Sequence, residues 1–426
     1  MFYERFKTIR QASGKTQKEL ADFLNISPQS VSKWEKGETL PSIEYLPLMA
    51  KFFSCSINAF FEEVYENTLP EKMAEQIQLS SDVEEIKCRI SSAFSQLKLN
   101  VEILDVYEGK RIITLTCVAG RKTKRDGVFA KCRKISDIAD EKICMRSVSE
   151  DNNAFVIEVA KKHFDEIPLT SALESEEYKK TNAEIPIIIG YDTKDALLIS
   201  DLAVASHILI YGDVHSGKTT FLRNLLTCLT SRFTKDEIAL VVSDVNKRDM
   251  LYMNEFPHLL GNVLTSVDEA ERTFNCLAEE MEARCAAFEA LGVADIGKYN
   301  AVSQNKMKRI VIVIDEIIDL LVYSNKIYTT LSQLSMNGRK AGIHLIIATA
   351  YPHSKLEPIR ISIPTTVLFF TEKPHDCCDM IGMGIGNSLA GRGDMVYCSA
   401  TDWGVRAQAP YIESEESLRL VKYGNE

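Results

Sequence analysis

Two short stretches hold the residues with the most chemistry to offer. Gly212-Asp213-Val214-His215-Ser216-Gly217-Lys218-Thr219, followed by Thr220, has the spacing G-x-x-x-x-G-K-[ST]. Glycines at both ends let backbone N–H groups turn onto phosphate oxygens. Lys218 is then suited to reach the β and γ oxygens, and the Thr219 hydroxyl to ligate Mg²⁺ at a helix start. The second stretch is "RIVIVIDEIIDLL", where the apolar run 310–314 ends in Asp315-Glu316. Asp315 is suited to hold a divalent cation, directly or through water, and Glu316 to orient and polarise an attacking water. Taken singly, a glycine turn can arise by chance, and an Asp-Glu pair can be a solvated sheet edge or a helix N-cap. Together they point to a nucleotide hydrolase.

These groups need a scaffold, and the surrounding pattern supplies one. The glycine-rich loop follows the apolar "HILIY" and precedes the helical "TTFLRNLLTCL". From about residue 191 onward, the strands "HILIYG", "EIALVVSD", "RIVIVIDE", "GIHLIIATA" and "TTVLFFT" alternate with helical stretches such as "SVDEAERTFNCLAEEMEARCAAFEALG". That alternation predicts an α/β domain over 191–426, a mostly parallel sheet flanked by helices, with ligands at the carboxyl ends of its strands. Residues 82–190 read as a small α+β module: the helix "VEEIKCRISSAFSQL", then β-rich runs with Glu108-Gly109-Lys110 as a hairpin turn. Residues 65–81 are polar and read as a linker, and residues 1–64 as an all-α bundle of short, Ser- or Thr-capped helices.

Composition narrows the class. The 426 residues are 45% hydrophobic and 26% charged, which suits a soluble multidomain chain. A formal net charge of −10 means that any nucleic-acid contact must come from local surfaces. Eleven cysteines include no C-x-x-C pair, and the adjacent Cys377 and Cys378 have the wrong spacing for a zinc ribbon, so reduced thiols in a cytoplasmic protein are expected. The opening "MFYERFKTIRQ" lacks the apolar core of a signal peptide, and no apolar run approaches the about 20 residues that a bilayer requires. Any membrane tether is therefore expected from a partner.

Further blocks follow the nucleotide loop in order: "PHLL", "EEMEARCAAFEALGVADIGKYN", "VIDEIIDLL", "NGRKAGIHLIIATAYP", "SIPTTVLFF" and "LAGRGDMVY". In this order they resemble the FtsK/SpoIIIE-type DNA translocases, over about residues 82–412. The resemblance implies a RecA-like P-loop NTPase fold for 191–426, with 82–190 as the family's small module. It also implies a six-membered ring of identical subunits around double-stranded DNA, with ATP and Mg²⁺ at the subunit interfaces. By the same resemblance Gly212, Gly217, Lys218 and Thr219 hold the nucleotide, while Asp315 and Glu316 form the metal-binding and water-activating pair. Arg339 in "GRKAG" and Arg392 in "GRGDM" are candidates for a cation donated by a neighbouring subunit; a surface ion pair or a DNA-phosphate contact suits either equally. Asn246-Lys247-Arg248-Asp249 spells the N-K-x-D by which GTPases read guanine, but it follows the second strand and is taken as chance.

The chain departs from the family pattern in four places. His215 stands where glycine is usual, and Ala350 stands where the family carries a glutamine near the γ-phosphate; an alanine side chain cannot hydrogen-bond a phosphate. An N-terminal membrane region and a C-terminal winged-helix module are also expected to be lacking.

"TQKELADFLNISPQSVSKWEKGETLPS" resembles the Xre and lambda-repressor type of helix-turn-helix. The resemblance implies that the second helix enters the major groove, with Gln29, Ser30, Ser32 and Lys33 on base edges and Gln17 and Lys18 on phosphates. Residues 1–64 carry eight Lys/Arg against eight Asp/Glu, so no net field favours DNA, and a role in protein contacts stays open. The cluster Arg121-Lys122-Thr123-Lys124-Arg125 suits either a DNA backbone or a solvated loop. Three functions therefore stand: a duplex-DNA translocase recruited by its helix-turn-helix to DNA transfer, partition or mobile-element conjugation; an FtsK-like ATPase of a conjugation or secretion machine; and a nucleotide-gated transcriptional regulator.

Overall fold

The computed structural model describes residues 6–10, 13, 15–24, 26–36, 39, 41, 49, 52–53, 80–120, 123–147, 153–246, 249–352, 354–373, 385–402 and 404–423. The chain divides into two compact units, Met1–Gln78 and Leu79–Glu426. The expected linker, apart from Ser80 and Ser81, lies outside the described residues, as do Arg121, Lys122, Lys247, Arg248, Cys377, Cys378 and most of the expected helices after residue 36.

In the first unit, helix α1 (Gln17–Leu24) is followed by α2 (Pro28–Glu35). Each start is chemically specified. Thr16 and Glu19 cap reciprocally: Glu19 N–H donates to Thr16 Oγ1 at 3.2 Å and Thr16 N–H to Glu19 Oε2 at 2.7 Å. The Ser27 hydroxyl accepts from Ser30 N–H, with Pro28 in the first turn, where its missing N–H costs nothing. Leu20, Ala21, Leu24, Val31 and Trp34 bury against Phe6, Met49 and Phe53. Glu35 is buried in this unit against Arg10 at 2.5 Å and Gln17 Nε2 at 2.8 Å. Burial raises its pKa, but those two partners outweigh it and the carboxyl sits below its ordinary range.

The second unit opens on α3 (Ser81–Gln96), so Ser81, expected as the end of the linker, is already helical. Strands β1 (Val101–Glu108) and β2 (Ile112–Ala119) form a hairpin about Gly109; α4 (Cys132–Ala139), β3 (Ile143–Ser147) and β4 (Ala154–Ala160) complete an antiparallel sheet of order β1-β2-β4-β3. Its α3 and α4 face buries Val83, Ile86, Ile90, Phe94 and Ile135 against Ile113, Leu115, Phe155, Ile157 and Val159. The alternate residue Glu158 is also fully buried, so β4 is covered on both faces.

The larger sheet comprises β5 (Pro186–Asp192), β6 (Leu197–Asp201), β7 (Ile208–Tyr211), β8 (Ile238–Ser243), β9 (Arg309–Ile314), β10 (Ile343–Thr349), β11 (Thr365–Phe369), β12 (Asp394–Cys398) and β13 (Val405–Gln408). Among the described residues its order is β6-β5-β13-β12-β11-β7-β10-β9-β8. Strands β11, β7, β10, β9 and β8 are parallel, while β12, β13, β5 and β6 join antiparallel. The sheet is therefore mixed, not mostly parallel. The five strands expected from apolar runs form the parallel half. Of the four that complete the sheet, β6, β12 and β13 are short and carry polar residues that the fold buries, such as Ser200, Asp394 and Arg406, whereas β5 is the apolar run "PIIIGYD", which the boundary expected at residue 190 split. The boundary expected at residue 190 falls inside β5.

Helix α5 (Lys218–Arg232) covers one face through Phe221, Leu222, Leu225 and Leu229. Helices α6 (Val267–Leu291), α7 (Ile317–Tyr323) and α8 (Asn325–Ala341) cover the other through Phe274, Leu320, Leu331 and Leu334. The last helix, α9 (Ser414–Tyr423), packs beside α5, with a 2.6 Å hydrogen bond between the Thr227 and Ser417 hydroxyls.

Arg406 joins the two sheets. Wholly buried on β13, it donates to Asp394 Oδ1 at 3.0 Å and Oδ2 at 2.7 Å on β12, and to the Glu158 carbonyl at 3.1 Å on β4. Arg146, on β3, donates to the Glu158 carboxylate through Nε at 2.8 Å, and Arg406 Nη1 lies 3.9 Å from that carboxylate's other oxygen. Removing one member of a buried ionic cluster strands the others. Arg406→Leu is expected to cost about 3–5 kcal/mol in urea unfolding of the full chain; a loss below about 1 kcal/mol would show that the cluster does not hold the sheets together.

Candidate nucleotide-binding site

Strand β7 lies between β10 and β11, and its carboxyl end runs directly into the glycine-rich loop. Gly217 precedes α5 with φ +120, and a Cβ there would approach Gly393 N at 2.9 Å, so this position admits only glycine. His215 has φ +65, a left-handed conformation that costs an ordinary residue about 1–2 kcal/mol. Its side chain is exposed, so the loop accommodates it without burial.

The loop is fixed from below. Asp213 N–H donates to Phe370 O at 2.9 Å, and the Asp213 carboxylate accepts from Glu372 N–H at 2.7 Å, giving that residue an anchoring task. Val214 is exposed, whereas Thr219 and Thr220 are half-buried in the first turn of α5. Ser216 Oγ is buried with no hydrogen-bond partner among the described residues. An orphaned hydroxyl within a loop at a helix N-terminus fits an anionic ligand such as phosphate. Lys218 Nζ, nearly buried, donates to Gly212 O at 2.8 Å and Asp213 O at 3.1 Å and lies 3.5 Å from Glu316 Oε1. The structure thus brings the loop lysine and the strand-end glutamate together.

Asp315 and Glu316 follow β9. Asp315 N–H donates to Ser243 O at 3.0 Å, setting Asp315 beside Asp244 at the end of β8. Burial, with Glu316, Asp244 and Asp249 nearby, outweighs the Lys218 charge and pushes the Asp315 carboxyl up to about 7. Among the described residues these carboxylates do not converge as a set of three metal ligands, but the repulsion on Asp315 is of the kind that a hard divalent cation bound beside it would relieve. Sequence reasoning gave Asp244 no role. Its signal was present: "VVSD" ends a strand in a carboxylate just as "VIDE" does, and only the adjacency of β8 and β9 makes that shared position matter. Asn246 donates to Asp319 Oδ2 at 2.5 Å and Asp249 N–H to Asp244 Oδ2 at 3.1 Å, so the described ends of the N-K-x-D string serve this edge.

Glu316 has φ +57, and its Oε2 accepts from the backbone N–H of Ala350 at 3.0 Å. The Ala350 side chain offers no hydrogen bond, as expected, but its main chain holds the glutamate. Strain at Glu316, a hydrogen bond on one oxygen and an ammonium near the other fix the carboxylate where a water could be polarised.

The two arginine candidates part ways. Arg339, at the end of α8, donates from Nε to Ala203 O at 3.1 Å, at the amino edge of the parallel strands and away from its own nucleotide loop. Arg392, exposed with φ +51, precedes the Gly393 that touches Gly217.

On the helix-turn-helix unit, Lys18, Gln29 and Lys33 are exposed and Ser32 is half-buried. Two expected DNA contacts are otherwise engaged: Gln17 Nε2 bonds Glu35, and the Ser30 hydroxyl lies 3.0 Å from that of Ser27. Both side chains stabilise their own unit, which their spacing alone did not reveal.

Known proteins resemble this chain in both parts. Residues 168–355 match the FtsK/SpoIIIE family model and residues 6–60 a helix-turn-helix model. The DNA translocase FtsK of Clostridium tetani is 30% identical over 70% of this chain and 42% of its own length. SpoIIIE of Bacillus subtilis, also a DNA translocase, is 27% identical over 70% of this chain and 40% of its own length. The chain thus spans less than half the length of these relatives. Among solved structures, the pCW3 conjugation coupling protein TcpA with ATPγS has a TM-score of 0.55 at 21% identity, covering 79% of this chain and 99% of its own. EssC ATPases 2 and 3 of Geobacillus thermodenitrificans reach 0.52 at 20%, covering 57% and 49%. Both show likeness of fold.

Asp315 supplies a pH test. Its folded pKa is raised from 3.8 to about 7, so the stability tied to its protonated form is full below pH 3.8 and lost as pH rises through 7. In chelator, the Tm advantage of Asp315→Asn over wild type is expected to widen by a few degrees between pH 5 and pH 8; a constant difference would mean that Asp315 is not held protonated.

Proposed function

Given a chain that carries an FtsK/SpoIIIE-family domain and a helix-turn-helix domain, we propose that it is an ATP-dependent translocase of double-stranded DNA, recruited or oriented by the helix-turn-helix. The observation that carries this reading is the meeting of Lys218, Glu316 and the Ala350 amide at the end of β7, β9 and β10.

In this reading backbone N–H groups of 212–217 cradle the phosphates, and Lys218 leaves its loop carbonyls for the β and γ oxygens. Thr219, Asp315 and Asp244 would hold Mg²⁺, which when bound offsets phosphate charge. Glu316, held by Ala350 N–H, orients water in line with the γ-phosphate. Because Arg339 lies away from its own nucleotide loop, it serves a neighbour's site in a ring of six copies. Residues 82–190 form the motor's small module and 191–426 its RecA-like part. The protein works in the cytoplasm, with any membrane attachment through a partner.

Conjugation is the favoured setting, since a solved neighbour of like fold, covered along 99% of its length, is a conjugation coupling protein. Gln29, Ser32 and Lys33 supply the reading face and Lys18 a phosphate contact.

ATP hydrolysis with and without linear duplex DNA tests the motor. Wild type is expected to be stimulated at least tenfold by duplex; Lys218→Ala and Glu316→Gln should fall at least a hundredfold, Glu316→Gln retaining ATP. Unstimulated wild-type turnover equal to that of Glu316→Gln would reject a translocase and favour a nucleotide-gated regulator. Separately, Gln29→Ala with Lys33→Ala should weaken selection of a preferred duplex site while leaving duplex-stimulated turnover intact; unchanged selectivity would reduce the helices to a protein-contact module.

A further inference from the structure

The glycine-rich loop has a neighbour whose task the nucleotide chemistry does not explain. Gln408, at the end of β13, is buried at the junction of the two sheets and of the 389–394 turn. Its carboxamide orientation is dictated by its partners. Arg111 Nε can only donate, so Oε1 faces it at 3.1 Å; the carbonyls of Arg392 and Ala409 can only accept, so Nε2 faces them at 2.8 and 3.1 Å.

Each end of this bridge leads somewhere definite. Arg111 sits immediately before β2, over the Phe164 ring at 3.6 Å, and donates to the Lys161 carbonyl, so it belongs to the four-stranded sheet. Arg392 has φ +51, and the next residue, Gly393, has φ +89 with its carbonyl bonded by Ala409 N–H at 2.8 Å. Gly393 N–H reaches Ser216 O at 3.4 Å, and its backbone occupies the space that a Cβ at Gly217 would need. A Cβ on Gly393 would in turn meet Gln408 Nε2 at 2.7 Å. Arg111, Gln408, the 392–393 turn and Ser216-Gly217 are thus stacked without slack, the last two directly beneath the expected phosphates.

We propose that Gln408 is a positioning residue for nucleotide binding, the joint through which Arg111 of the four-stranded sheet holds the 392–393 turn against the phosphate loop. It touches no phosphate. It sets the backbone of Ser216 and Gly217, which in that nucleotide reading line the phosphates. The placement of the four-stranded sheet and the grip on the nucleotide are thereby linked, so a movement of that sheet loosens or tightens the site. This inference rests on the nucleotide-site reading above.

Binding of Mg²⁺-ATPγS to the full chain, followed by calorimetric titration at low temperature, tests it. Gln408→Met removes every hydrogen bond of the joint at similar volume. Gln408→Glu keeps an acceptor for Arg111 but sets carboxylate oxygen against two carbonyls. Both are expected to weaken binding about tenfold, while Tm without nucleotide stays within a few degrees of wild type. Arg111→Met, remote from the loop, is expected to weaken binding about threefold to tenfold, and the Gln408→Met, Arg111→Met pair to bind no more than twofold worse than Gln408→Met alone, because both break one linkage. Should Gln408→Met fail to fold, Arg111→Met against Gln408→Glu decides the matter on the same readout. Wild-type affinity in any of these variants, or losses that multiply in the pair, overturns the inference while leaving the nucleotide site intact. No binding by wild type overturns both.

Discussion

A fully buried guanidinium is the fixed point of the larger unit. Arg406 takes both oxygens of Asp394 and the Glu158 carbonyl, and a charge so deeply desolvated is tolerable only with every partner in place. The partners come from β12 and β4, so satisfying one side chain registers the antiparallel half of the nine-stranded sheet against the four-stranded one. The same strands deliver Gly393 beneath Gly217. The cluster is therefore continuous, through Asp394, with the turn that packs against the glycine-rich loop.

Around that loop the polar groups are held in competition. Lys218 is shared between two loop carbonyls and Glu316, and Asp315 has its pKa raised first by burial and then by the carboxylates around it. Such a site carries unfavourable terms that a polyanion with its cation would relieve, which gives ligand binding a driving force beyond simple contact. Ala350 fits this picture in an unanticipated way. The side chain at that position cannot donate, yet its main chain does, so the position links the end of β10 to the Glu316 carboxylate.

The helix-turn-helix unit shows a related economy. Glu35 is buried but lowered in pKa because Arg10 and Gln17 meet it, and Ser27 and Ser30 share one cap. Two polar residues expected on DNA, Gln17 and Ser30, thus also bond within the unit, and of the expected set Lys18, Gln29 and Lys33 are exposed and Gln17, Ser30 and Ser32 half-buried.

The amino-acid sequence by itself determined the phosphate loop, the strand-end carboxylates, the parallel strands and the paired helices, because each is specified locally: glycines where no Cβ fits, unbroken apolar runs between helices, caps within four residues. Tertiary structure alone decided the mixed sheet, two of whose added strands, β12 and β13, bury charges that no periodicity predicts. It alone set Asp244 beside Asp315, engaged Gln17 with Glu35 and Ser30 with Ser27, and sent Arg339 to the far edge. Those outcomes depend on which residues, separated by tens or hundreds of positions, must share one desolvated space, and a desolvated polar group is stable only where the fold has already brought its partner.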